Sequence, residues 1–247
     1  MVVCAQPRGS AIDRGKLVDL THAYNEQAIY WPTSPPFKWN KDAWGKSEAG
    51  YWYTSATFTT SEHGGTHLDS PIHFAEGKWN TGEIPLERLI GPAVVIEVTA
   101  ACVRDRNYLL KPADIEEWEK RHGRIGEGDI VLIRTGWSRH WPNRMAYMGS
   151  DKPGDTASLS FPGIGAEAAR VLVSRKPAGV GIDTASLDYG RSKDFLTHRI
   201  LNGANIYGLE NVTNLERLPA AGATLIALPM KIQEGTGGPV RIVAVLP

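Results

Sequence analysis

The segment His63-Gly64-Gly65-Thr66-His67-Leu68-Asp69-Ser70-Pro71-Ile72-His73 constrains this chain more than any other. Three of its seven histidines and an aspartate fall within eleven positions, set among glycines and a proline. Packing alone does not ask for that density of imidazole. Neutral imidazole nitrogens and carboxylate oxygens are the ligands of zinc and manganese sites. Read as extended backbone, the segment places His63, His67, Asp69 and His73 on odd positions and therefore on one face. Leu68 and Ile72 then turn the other way, into a core. Gly64 and Gly65 permit tight torsions beside an ion, and Pro71 ends regular strand pairing.

The chain has 247 residues, enough for one large domain with a sizeable core. Residues 16–247 read as that single domain, preceded by an N-terminal segment, 1–15, expected to be flexible. Acidic and basic residues cancel, 27 against 27, and no basic run stands out, so nucleic acid and anionic membrane surfaces are not expected partners. No apolar run approaches the length of a membrane span. The apolar start, Met1 to Ala5, is far shorter than the core of a signal peptide, though it leaves room for the stump of a trimmed one. The cytoplasm is the default location. Cys4 and Cys102 could pair, but they form neither a disulfide framework nor a thiolate zinc motif.

Short β-branched runs recur at 17–20, 51–59, 93–98, 130–134, 179–182, 224–228 and 240–246. Helical patterns lie between some of them. Pro112 opens one that stops at Gly123, another covers 165–176, and a third starts near Asp194 as N-cap and ends before Gly203. Strands and helices alternate only in the second half. The expected fold is therefore α/β, a mixed β-sheet core with helices packed on it, rather than a regular barrel. Residues 138–162 lack periodicity and are rich in Gly, Pro and Asp, which suits either a functional lid or a tolerated surface insertion.

Two further ligand candidates lie downstream. His198 falls in the third helical pattern, and Glu210 in the apolar run Ile206 to Val212. A carboxylate in such a run is costly to bury unless paired or metal-bound. The plain alternatives are a helix-surface histidine and a strand-end acid. His22 could face the same site, although a hydrogen-bonded structural role suits it better.

The motif from His63 through Phe74 closely resembles the signature of the cyclase family of metal-dependent hydrolases, which includes bacterial kynurenine formamidases and isatin hydrolases. Ile133 to Trp137, Gly181 to Asp188 and the tail from Gly208 to Ile232 resemble further family segments, so the likeness spans roughly residues 16 to 247. It implies the family's swivelling β/β/α-like fold and a site in which His63, His67 and Asp69 hold one ion. In formamidase-like members the aspartate bridges to a second ion held by a histidine and a glutamate, the spacing of His198 and Glu210. The implied cofactor is zinc or manganese, one or two ions per subunit, and the implied assembly is a homodimer or homotetramer. His73 matches the family's catalytic histidine, and Trp31 and Trp79 become candidates for the substrate pocket. The expected reaction is hydrolysis of a C–N amide bond in a small aryl or cyclic amide. Arylformamidase activity is the first reading, and opening of a cyclic amide such as isatin is the alternative.

The residues support that chemistry. A divalent ion lowers the pKa of water to about 7 and polarises a carbonyl, and a histidine four residues past Asp69 can move the proton. No G-x-S-x-G elbow is present. Ten of the 21 aromatic residues fall between Tyr24 and Phe58, which suits an aromatic-lined pocket, a core or a subunit interface. Two other readings are weaker. Gly163-Ile164-Gly165 with Asp183 mimics a dinucleotide fingerprint, but the residues before it make a poor strand. A purely structural metal in a binding domain is disfavoured because structural zinc sites usually close with cysteine and histidine.

Overall fold

The computed structural model describes residues 13–247. Cys4 and most of the expected N-terminal segment lie outside the described residues. In chain order the elements are β1 (Leu17–Asp19), β2 (Lys38–Lys46), β3 (Trp52–Thr59), β4 (His67–Asp69), β5 (Ile90–Glu97), α1 (Thr99–Arg104), β6 (Leu109–Leu110), α2 (Pro112–His122), β7 (Ile130–Arg134), α3 (Arg144–Met148), β8 (Gly163–Ile164), α4 (Ala166–Arg175), β9 (Gly179–Ile182), α5 (Leu196–Gly203), β10 (Tyr207–Glu210), β11 (Ala223–Pro229) and β12 (Gly237–Val245). Each run read as a strand carries one. The short β4 and β10, which bear the ligand candidates, needed tertiary pairing to be recognised as strands.

The main sheet has eight strands in the order β1-β12-β11-β5-β7-β9-β10-β4, and β4 also pairs with β12. That last pairing closes the sheet into an irregular, barrel-like ring. Strands β5, β7, β9 and β10 run parallel to one another, while the pairings of β1, β4, β11 and β12 are antiparallel. The sheet is thus mixed, as the uneven alternation of strands and helices suggested.

Strand alternation builds two cores from one set of residues. Ala93, Val95, Ile130, Leu132, Leu209, Leu225 and Ile242 pack on the inner face. Val94, Ile96, Val131, Ile133, Val180 and Ile182 face outward and meet Ile115 of α2, Leu172 of α4 and Leu201 of α5. Leu68 sits in the inner core between two ligand candidates, fully buried. Ile72 does not join it, because the chain leaves the strand after Asp69 and turns through a single 3-10 turn, Pro71–His73.

Residues 138–162 are neither a free lid nor a bare insertion. Tyr147, Met148, Leu159 and Phe161 from this stretch pack with Ile29 and Trp137 into a third core. The Asn143 side chain caps α3, accepting the Ala146 N–H at 2.9 Å. The glycines of the dinucleotide-like motif are also used internally. A Cβ on Gly163 would lie 2.2 Å from the Tyr189 nitrogen, and one on Gly165 2.8 Å from the Leu110 carbonyl. They admit neighbouring backbone, and no phosphate cradle is formed.

Among the described residues no helix is long and apolar enough to cross a membrane. Leu68→Ala should cost about 2–5 kcal/mol by cavity formation, read as a lower urea midpoint with an unchanged slope. An unchanged midpoint would contradict this packing.

Candidate metal centre

Strands β4 and β10 pair so that Glu210 lies opposite His67 and Gly208 opposite Asp69. With Leu68 and Leu209 turned into the barrel, alternation sends His67, Asp69 and Glu210 to the other face. Helix α5 crosses that face and brings His198 onto them. His198 Nε2 lies 3.2 Å from Asp69 Oδ2 and 3.0 Å from Glu210 Oε1. His67 Nε2 lies 3.2 Å from Asp69 Oδ1 and 3.4 Å from Glu210 Oε2. His63 Nδ1 lies 2.6 Å from Asp69 Oδ1. Two groups result that could each hold an ion, His63–His67–Asp69 and Asp69–His198–Glu210, with Asp69 common to both.

Simple alternation does not bring His63 and His73 in. Gly64 and Gly65 form a sharp entry to β4, with Gly65 at φ +58°. A Cβ on Gly64 would lie 2.1 Å from the Tyr30 ring, so only glycine lets the chain pass. On the far side, the 3-10 turn swings His73 back, and its ring stacks on His63 with centroids 3.8 Å apart.

The centre fits a divalent ion on its own chemistry. His67 Nδ1 donates to the Gly65 carbonyl at 3.0 Å, which turns Nε2 toward the two carboxylates. That atom is buried and makes no well-aligned hydrogen bond among the described residues, facing only the Asp69 and Glu210 oxygens, so a proton or a metal cation is needed there. His198 is held the same way, donating Nδ1–H to Asp188 Oδ2 at 2.7 Å. Glu210 is fixed by the Leu187 N–H at 2.8 Å.

Asp188 was not singled out from the sequence beyond its place in a family-like segment. Its carboxylate also accepts the backbone N–H groups of Thr197 and His198, so it caps α5 from outside the helix. Asp194 does not serve as N-cap. That position belongs to Phe195, in the left-handed region at φ 48°, with no side-chain capping bond. An acid ten residues ahead of a helical histidine was the available signal, but only the fold shows that it reaches.

The charges are strongly coupled. Burial would raise the Asp69 carboxyl, yet the surrounding histidines hold it well below the usual range. Burial and the charge of Asp69 push Glu210 upward. Burial alone would lower His67, but Asp69 and Glu210 together outweigh it and raise the imidazole to about 9. His198 is raised for similar reasons, against the effect of its burial. His73 goes the other way, to about 3, chiefly by burial. It is neutral at physiological pH, and its ring makes no hydrogen bond among the described residues.

A cavity of about 220 Å³ opens above the centre. Its floor is His63, His67, Asp69, His198 and Glu210, His73 stands at the side, and Trp31, Phe74 and Phe195 form aromatic walls. Trp31 meets Phe195 edge-on at 6.1 Å. Trp79 is not a wall. It rests on the barrel core, its backbone N–H donating to Asn205 Oδ1 at 3.3 Å, with the Arg88 guanidinium over its ring. His22 also stays out of the cavity, its ring stacked on Trp141 at 4.1 Å.

A family model described as "Putative cyclase" matches residues 18–189, most of the chain. The chain belongs to the cyclase family. An isatin hydrolase from Roseibium aggregatum is 37% identical over 194 residues, covering 75% of this chain and 72% of that protein. A kynurenine formamidase from Bacillus thuringiensis is 28% identical, covering 92% of this chain and 95% of that one. Among solved structures, isatin hydrolase A from Labrenzia aggregata, bound to benzyl benzoate, superposes with a TM-score of 0.84 at 35% identity, covering 93% of each chain.

An ion held by His67 and His198 would have to displace protons, because their pKa values are raised by the surrounding carboxylates. Apparent affinity for zinc should therefore fall below pH about 9 and rise as pH increases toward it, with proton release in calorimetry. A pH-independent affinity would show that these nitrogens are not ligands.

Proposed function

We propose that this chain is a metal-dependent hydrolase of a C–N bond in a small aryl amide, with a cyclic amide as the first substrate class. The observation that carries this reading is the convergence of imidazole nitrogens and two carboxylates on the floor of an aromatic-walled cavity. His63, His67 and Asp69 would hold one ion, and His198, Glu210 and the shared Asp69 a second; zinc or manganese suits this nitrogen and oxygen set. Such an ion activates water near neutral pH and polarises a carbonyl oxygen.

The chain's own residues supply the rest. Trp31, Phe74 and Phe195 take the flat ring of the substrate and exclude water from its faces. His73 is neutral, lines the cavity and makes no side-chain hydrogen bond among the described residues, so it can accept a proton from water and return it to the leaving nitrogen. Its stacking on His63 fixes the ring without using either nitrogen.

The preference for a cyclic amide draws support from relatives above 30% identity, one of them an isatin hydrolase solved with the product analogue thioisatinate, with a TM-score of 0.83 at 31% identity. Cleavage of a formyl aryl amide is the second reading. It is favoured by Glu210, which supplies the carboxylate beside His198 that the formamidase-like arrangement requires. Isatin and N-formylkynurenine, each offered to protein reconstituted separately with zinc and manganese, separate the two. His73→Ala should lower kcat by about 10²–10⁴ while retaining its metal. Full activity in that variant would remove the histidine from its role.

Assembly as a homo-oligomer is part of the same proposal. Strands β2 and β3 pair only with each other among the described residues, and Trp39, Trp44, Tyr51, Trp52, Tyr53 and Phe58 are exposed there. An isolated two-stranded hairpin is marginal in water, and a patch of this kind marks an interaction surface. Sedimentation should give a dimer or tetramer that Trp44→Lys with Trp52→Lys shifts to a smaller species. A monomeric wild type would end this part of the proposal.

A further inference from the structure

His63 differs from the other two histidines of the centre in presenting Nδ1, not Nε2, to the carboxylates. Its other nitrogen, Nε2, lies 2.8 Å from Thr236 Oγ1. That hydroxyl in turn contacts Glu62 Oε2, and the same carboxylate oxygen accepts the Thr236 backbone N–H at 3.1 Å. The protons between Glu62 and His63 Nε2 can be arranged in only one way. A carboxylate accepts and does not donate, so the single hydroxyl proton of Thr236 goes to Glu62. The hydroxyl oxygen is then the acceptor for His63, and Nε2 must carry the proton. Nδ1 is then the nitrogen that faces Asp69 Oδ1, 2.6 Å away, where a proton or a metal cation joins the two.

Three separated segments hold this arrangement in place. Thr236 lies just before β12, where the Ser70 N–H donates to its carbonyl and the Thr81 N–H to the Gly235 carbonyl, each at 2.9 Å. The next residue, Gly237, pairs with Asp69 across β12 and β4. A Cβ there would sit 2.6 Å from His63 Cε1, so the glycine admits the imidazole ring at this depth. Neither Glu62 nor Thr236 lines the cavity, so contact with substrate does not account for them.

We propose that Glu62, acting through Thr236, is a positioning residue that fixes the tautomer of His63 and readies Nδ1 for the ion. The proposal rests on the metal-dependent reading given above and adds to it the group that orients the outermost imidazole. Thr236→Val keeps the side-chain shape and removes the hydroxyl, whereas Thr236→Ser keeps the hydroxyl. In chelator competition, Thr236→Val and Glu62→Ala should each weaken zinc binding about 10–100-fold, and Thr236→Ser should match wild type. The double variant should be no worse than either single one, because both break the same chain of contacts. Nitrogen-15 spectra of the ion-free protein, taken where His63 is neutral, should show the Nε2–H form in wild type and lose that preference in Thr236→Val. Circular dichroism identifies a variant that has not folded, in which case Glu62→Ala and the wild-type nitrogen spectrum carry the comparison. Wild-type affinity in Thr236→Val, additive losses in the double variant, or an Nδ1–H form in wild type would each overturn the relay. A wild type that binds no zinc would instead sink the metal-dependent reading, while the nitrogen spectrum still decides the tautomer.

Discussion

Asp69 and Glu210 are buried on paired strands within reach of the same two histidines, His67 and His198. Two carboxylates so placed cost several kcal/mol each unless positive charge sits among them. In the ion-free protein that charge is a pair of histidine protons, held against the effect of burial. A divalent ion held here would replace those protons, with the imidazole nitrogens as its ligands. The place of His67 Nε2 between two carboxylates, the bond that His198 donates to Asp188 and the raised imidazole pKa values are consequences of this one requirement.

The fold meets the requirement by splitting the labour between the two faces of β4 and β10. Leu68 and Leu209 lock the strands into the barrel core, so the side chains between them have no freedom to turn away from each other. Closure of the ring by β12 against β4 brings Gly237 to Asp69, and the neighbouring Thr236 to His63. Helix α5 adds His198 from above, anchored at its first turn by Asp188. Two of the aromatic walls, Phe74 and Phe195, come from the same segments as the floor, and the third, Trp31, comes from earlier in the chain.

Much of this was legible in the residues. The dense His63–His73 cluster pointed to a metal, and burial cost made Glu210 conspicuous within its apolar run. The parallel strands were visible because both of their faces are buried, which yields the unbroken apolar runs of β5, β7 and β9. Strand β4 was harder to bound. His63 and His73 converge through a glycine turn and a 3-10 turn, and strict alternation cannot express either. Residues 138–162 looked structureless because their order comes from four buried side chains meeting Ile29 and Trp137, not from a periodic pattern.

The sequence by itself determined the kind of side chain available, since imidazole and carboxylate in that density are the donor set of a metal site, and the alternating apolar residues set which side of each strand would be buried. Tertiary structure alone decided which acid serves which histidine. Asp188, Glu62 and Thr236 act on His198 and His63 across ten, one and 173 positions of chain. It also separated Trp31 from Trp79, putting one against the cavity and the other on the barrel core. Hydrogen bonds reach only about 3 Å, and distances of that order between remote residues exist only once the sheet has closed.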